Sequence, residues 1–227
     1  MDNSPTATEA GFDLDPIEIR VLGVLIEKAF VTPDAYPLSL NALLSGCNQL
    51  TAREPVMSLS EAEVQRAIDS LMERRLVTRR DQASARVPKY EHQVRLRHSL
   101  PPPEQAVLAT LLLRGAQTAG EVRTRCERLH HFDDISTVEA ALEHLAEKYP
   151  AMAASLPRAP GTKETRHMHL LGGDALLQAA IEAQASGTLS AGSSRGRSAE
   201  LEDEVRRLRE ELDALKLEFS DFRRQFE

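Results

Sequence analysis

The sequence predicts a mainly α fold with small β-hairpins (α+β), built from one unit used twice and followed by a C-terminal coiled-coil helix. Three observations predict it. A helical segment recurs 86 residues later (Leu14 to Leu100), a second recurs 74 residues later (Val64 to Val138) with extended sequence after it, and the chain closes on nearly four heptads.

Residues 14–32, LDPIEIRVLGVLIEKAFVT, align without gaps to residues 100–118, LPPPEQAVLATLLLRGAQT, sharing Leu-x-Pro-x-Glu-x-x-Val-Leu. Both read as helices with proline in the first turn, where the missing N–H costs nothing. A second helix is expected at residues 39–48 and 118–129, the latter opened by the capping box TAGE. The third pair, VQRAIDSLMER and VEAALEHLAEK, places Val64/Val138, Ile68/Leu142 and Leu71/Leu145 on one helical face. Ser60 and Ser136 stand three residues before Glu63 and Glu139, as helix caps do. Because the offset falls from 86 to 74, about twelve extra residues are expected in the first copy, in the region of the 50s. Strands are expected at residues 76–81 and 86–96 around the loop QASA, and near residues 154–158 and 164–171 around Pro160 and Gly161.

Three helices followed by a hairpin describe a winged helix. The expected organisation is a disordered N-terminus (1–13), winged-helix domain 1 (14–99), winged-helix domain 2 (100–173), a short helix (174–185), a flexible Gly/Ser linker (186–197) and a coiled coil (198–227). The two first helices are apolar nearly all round, from Ile17 to Ile26 and from Val107 to Leu113, more than one-sided burial requires. Their surplus surface is expected to seal an interface between the copies or with another subunit.

In the closing segment Leu201, Val205, Leu208, Leu212, Leu215, Phe219, Phe222 and Phe226 alternate spacings of four and three. In that register Glu204, Glu211 and Glu218 at g face Arg209, Lys216 and Arg223 at e. Antiparallel pairing would set like charges together, so the pattern specifies parallel self-association, a homodimer or alternatively a trimer. The competing reading is a solitary amphipathic helix folded back on the body.

Composition bounds the function. The 227 residues carry a formal charge of -7, which argues against wholesale attraction to nucleic acid and leaves local distribution to decide. No apolar run approaches the ~18 residues of a membrane span, and the acidic start lacks the features of a signal peptide, so a cytoplasmic protein without membrane contact is expected. Cys47 and Cys126 show no CxxC spacing and read as buried thiols. Cys126, His130, His131, His167 and His169 give the only metal-like spacings, and they read more simply as core and wing residues; no metal or cofactor is expected. No phosphate-binding Gly loop, nucleophile elbow or paired-carboxylate motif appears, so the chain is read as a non-enzyme.

One charged region stands out. Arg74, Arg75, Arg79, Arg80, Arg86, Lys89, Arg95 and Arg97 fall within 24 residues (74–97), opposed by Asp81 and Glu91. This is where a winged helix contacts phosphates, and Gln65 and Arg66 on the third helix could reach base edges of double-stranded DNA. Against it, the same helix carries Glu61, Glu63, Asp69 and Glu73. In the second copy Glu139, Glu143 and Glu147 form an acidic stripe on the corresponding helix, unsuited to the groove. Its cations Arg123, Arg125 and Arg128 lie on the second helix instead, suited to backbone contact or to an acidic protein. The sequence therefore reads as a DNA-binding protein, a dimeric transcriptional regulator gripping DNA through the basic wing of its first unit. The alternative is a scaffold whose winged helices bind protein.

The segments PDAYPLSLNALLSGCNQ, EPVMSLSEAEVQRAIDSL, LLRGAQTAGEVRTRCERLHHF and SLPRAPGTKETRHMHLL, in that order, resemble the YceH-like family of uncharacterised bacterial proteins across about residues 14–173. The resemblance implies a tandem winged-helix fold and brings no activity, substrate, cofactor or catalytic residue. In NQLTAREPV the chain departs from the family's more usual wording.

Overall fold

The computed structural model describes residues 12–80, 87–158 and 164–185. Residues 1–11, Arg86, the QASA loop, Pro160 and Gly161, the linker and the coiled coil with Leu201, Val205, Leu208, Leu212, Leu215, Phe219 and Phe222 lie outside the described residues. Among those described, eight α-helices accompany two small antiparallel sheets of three strands each.

The first half runs α1 (Pro16–Val31), β1 (Leu38–Ser39), α2 (Leu40–Cys47), α3 (Glu61–Glu73), β2 (Val77–Arg80), β3 (Lys89–His92) and α4 (Val94–His98). The second runs α5 (Pro102–Arg114), β4 (Gln117–Thr118), α6 (Ala119–Cys126), α7 (Ile135–Glu147), β5 (Ala153–Ser155), β6 (Arg166–His169) and α8 (Gly173–Ala185). The sheet orders β1-β3-β2 and β4-β6-β5 are the same, and the registers coincide. Tyr90 lies between Leu38 and Arg79 as His167 lies between Gln117 and Ser155. Cys47 and Cys126, both free and buried, end equivalent helices.

Helix starts follow from caps. Asp15 accepts from the amides of Ile17 (2.7 Å) and Glu18 (2.8 Å) while Glu18 accepts from Asp15, and the pairs Ser60/Glu63 and Thr118/Glu121 close the same reciprocal box. α7 corrects the expectation of Ser136. Asp134 caps it, accepting from the Thr137 amide (2.9 Å) and the Ser136 hydroxyl (2.8 Å), because an aspartate one residue before Ile135 leaves Ser136 inside the first turn. The extra length is also distributed differently. The N-cap offset is 86 at Asp15/Pro101, 79 at Ser39/Thr118 and 74 at Ser60/Asp134, so most of the difference precedes α2 and the rest lies before α3.

Both strands of the first hairpin are shorter than expected, and residues 94–98 are helical. Val77 is the first β2 residue, opposite His92, so beyond the bond from Gln93 N to Leu76 O (2.8 Å) β3 has no partner. The chain then satisfies itself, with Arg97 N donating to Gln93 O (2.9 Å), until Ser99 in the left-handed region ends the turn.

One core cluster runs through both halves: Leu22, Leu25 and Ile26 of α1, Ile68 and Leu71 of α3, Leu108 and Leu111 of α5, Leu142 and Leu145 of α7. α1 and α5 pack on each other, which accounts for their all-round apolar character. Gly23 marks the close approach, since a Cβ there would sit 3.0 Å from Leu113 Cδ2. The 50s loop joins in. Arg20, 1% exposed, donates to Cys47 O (3.0 Å) and Pro55 O, and the Glu54 amide donates to Leu113 O (2.8 Å) at the end of α5. Residues up to Glu182 form one compact unit.

A second, small core lies on the other side of the second hairpin. Ala154, Leu156, Met168 and Leu170 face away from the main core and are covered by Leu177, Ala180 and Ile181 of α8.

Candidate nucleic-acid interface

The two hairpins are equivalent in backbone and opposite in surface. In the first, pairing sets Thr78 opposite Glu91 and Arg80 opposite Lys89, one face of alternating strands, while Val77 and Tyr90 turn into the core. In the second, the positions of Thr78 and Arg80 are held by Ala154 and Leu156, and that of Glu91 by Met168, all under α8. Among the described residues, the polar face of the first hairpin is therefore the one that α8 leaves uncovered.

The candidate residues divide by what they already do. Arg80, 60% exposed, donates from Nε to Glu91 Oε1 (2.8 Å), with Nη2 at 2.7 Å, and this pairing holds its guanidinium more firmly charged. Gln93 shares the same Glu91 oxygen (3.0 Å). Lys89 is half-buried at the centre of the sheet and Arg79 is exposed on β2 opposite Tyr90. Arg75 is exposed and takes a positive φ of 58°, ending α3. With Thr78, Leu96 and Arg97 it lines an open groove of about 480 Å³. Arg95 and Arg97 are exposed on α4, and Leu96 between them is 77% exposed.

On α3, Arg66 is exposed with Nε on Ala62 O (3.3 Å), and Gln65 donates to Asp69 Oδ1 (2.8 Å). Arg74 is different. Its Nη2 donates to Asp13 O (3.2 Å) and its Nε lies 3.7 Å from the buried Glu18 carboxylate. The second half repeats this tie with Lys148 Nζ 3.8 Å from buried Glu104. Arg74 thus serves the architecture of the repeat, joining the start of the first helix to the end of the third. The signal was present in the repeat itself, since Glu18/Glu104 and Arg74/Lys148 keep the two offsets.

In the second half Glu139, Glu143 and Glu147 are all exposed on α7. Glu139 and Glu143 rim an open groove of about 430 Å³ toward the second hairpin, with Leu142, Ala146, Ala154 and His167 among its walls. Arg123 is occupied by Phe132 O (3.1 Å) and Asp133 O (2.7 Å). The metal-like spacings are dispersed: Cys126 is buried against the Thr110 hydroxyl (3.1 Å), His131 faces Glu127 (2.7 Å), and His169 is enclosed in the interior. Burial pushes the Cys126 thiol up to about 11 and His169 down to about 4, so both are neutral near pH 7.

A family model described as "Protein of unknown function, DUF480" matches residues 14–162. The chain is 70% identical over 227 residues to a UPF0502 protein of Azoarcus sp. (strain BH72), covering 100% of both chains. It is 67% identical over 208 residues to one of Aromatoleum aromaticum, covering 92% of this chain and 91% of the relative. A UPF0502 protein of Janthinobacterium sp. (strain Marseille) is 50% identical over 228 residues, covering 100% of this chain and 94% of the relative. The chain belongs to the DUF480/UPF0502 family of uncharacterised bacterial proteins, with which its YceH-like resemblance is consistent.

Proposed function

We propose that this chain is a non-enzymatic, cytoplasmic DNA-binding protein of the transcriptional-regulator type, in which each half is a winged helix. The order helix, short strand, helix, helix, hairpin, present twice, supports the winged-helix reading. In this reading α3 approaches the major groove with Gln65 and Arg66 near base edges, while Arg79, Arg80 and Lys89 on the hairpin and Arg75 beside it follow phosphates. Segment 198–227 joins two copies as a parallel coiled coil and presents two readers together. Among the described residues no helix is long and apolar enough to cross a membrane.

One observation carries the proposal: of two equivalent hairpins, the one whose outward face is not sealed by α8 is the one rich in cations. The test is fluorescence anisotropy with a mixed-sequence duplex over a salt series. Each phosphate contact adds about 0.9 to the slope of log K against log salt. The pair Arg79→Ala and Arg80→Ala should lower affinity for all sequences and flatten the slope by up to about 1.8. Absent or salt-insensitive binding refutes it and favours the protein scaffold, for which the exposed stripe Glu139, Glu143 and Glu147 is the supporting observation.

A further inference from the structure

Leu96, like Leu50, is a strongly exposed apolar residue of the first half. It is 77% exposed on a five-residue helix, flanked by exposed Arg95 and Arg97, so the turn projects an apolar side chain between two positive charges. The second half carries the opposite form. Between α7 and the second hairpin runs the groove of about 430 Å³, with exposed Ala146 the accessible part of its apolar lining and Glu139 and Glu143, one helical turn apart, on its rim. His167 closes the far side, its ring 3.4 Å from the Ser155 hydroxyl. Burial lowers His167, so near neutral pH that side adds no charge to offset the two glutamates.

We propose that the α4 turn of one copy docks into the α7–hairpin groove of a second copy, with Leu96 on the apolar lining and Arg95 and Arg97 against Glu139 and Glu143. Both members of the pair are present in every chain, matched in sign and polarity. Burial of the leucine supplies the attraction, and the charges fix its orientation. The two surfaces differ, so the contact is heterologous: each added copy offers a fresh turn and a fresh groove, and growth continues until geometry closes it. A single side chain in a groove covers far less than the ~1,200–2,000 Å² of a stable interface, so the contact is weak and depends on concentration. It requires no nucleic acid, though Leu96 and Arg97 also line the groove beside the first hairpin.

Sedimentation velocity of the full chain, across a concentration series at about 0.05 M and about 0.5 M salt, tests it. The unaltered chain should grow with concentration at low salt and much less at high salt. Leu96→Asp, the pair Arg95→Glu with Arg97→Glu, and the pair Glu139→Lys with Glu143→Lys should each weaken that growth by at least about tenfold in association constant. All five positions are exposed, and far-UV circular dichroism melts monitor folding. The decisive protein combines both charge reversals: restored opposition of sign should return growth to within a few-fold of the unaltered chain. Growth absent from the unaltered chain, or unchanged in the single-surface variants, overturns the proposal. Loss in those variants without recovery in the combined protein also overturns it.

Discussion

Replacing Arg53 by alanine should unravel the loop that ties the first half to the second. Its side chain is 0% exposed and meets five acceptors: Gly46 O (3.0 Å), Ala52 O (2.9 Å), Gln49 Oε1 (2.7 Å) and both oxygens of Glu27 (3.0 and 2.6 Å). Glu27, only 13% exposed at its side chain, would keep Lys28 alone (3.2 Å). Breaking a buried pair from one side costs about 3–5 kcal/mol, because the remaining charge is stranded. For a domain of this size that lowers Tm by about 10 °C. The surface pair Arg80–Glu91 is the internal control: Arg80→Ala should leave the unfolding midpoint close to that of the unaltered chain.

Acid should shrink the Arg53 effect. Burial by itself would raise the Glu27 carboxyl, but hydrogen bonds and charge from Arg53, with help from Lys28, outweigh it and hold the group below its usual range. A depressed carboxyl stabilises the fold fully above its unfolded value and loses that contribution as pH falls through the folded one. The stability gap between the two proteins should therefore narrow below about pH 4. Urea unfolding at several pH values, with Glu27→Gln completing a double-mutant cycle, measures all of this. A loss below about 1 kcal/mol for Arg53→Ala, or strict additivity in the cycle, would refute the reasoning.

Other outcomes follow from the same structure. Gly23→Leu should destabilise by about 2–3 kcal/mol despite better helix propensity, since even its Cβ would stand 3.0 Å from Leu113 Cδ2 and Cγ; thermal melts check it. Burial lowers His169 to about 4, so its stabilising contribution is whole above about pH 6.5 and declines as pH drops toward 4, by up to about 3 kcal/mol. His169→Leu should flatten the melting temperature between those values, and an unchanged slope would speak against a buried neutral ring. On the proposed parallel coiled coil, the pair Leu208→Asp and Leu215→Asp should weaken DNA affinity and, in dilute solution where the weak α4–groove contact is not populated, reduce the mass seen by light scattering to that of a single chain.

What the sequence made legible was what repeats or alternates. The three helices of each half, their proline starts, the Ser60/Glu63 and Thr118/Glu121 caps, and the surplus apolar surface of the first helices follow from local chemistry and period. The α7 cap does not: it falls on Asp134 rather than the expected Ser136, because Asp134 competes for the same role. β1 and β4 escaped because two residues carry no period: each is a strand only by pairing with β3 or β6, far along the chain. Residues 94–98 escaped for the converse reason, since Val94 and Leu96 fit a strand as well as a helical turn until the partner strand runs out. Side chains clustered in sequence also dispersed in space. Arg74, itself exposed, reaches back to buried Glu18 while Arg75, one residue on, faces outward, a division set by where α3 ends rather than by residue type.

The shared packing of α1 against α5, fastened by the Glu54 amide on Leu113 O, means that neither half can be handled alone. A fragment cut between residues 99 and 100 would lay bare one entire flank of a leucine-rich helix, inviting precipitation.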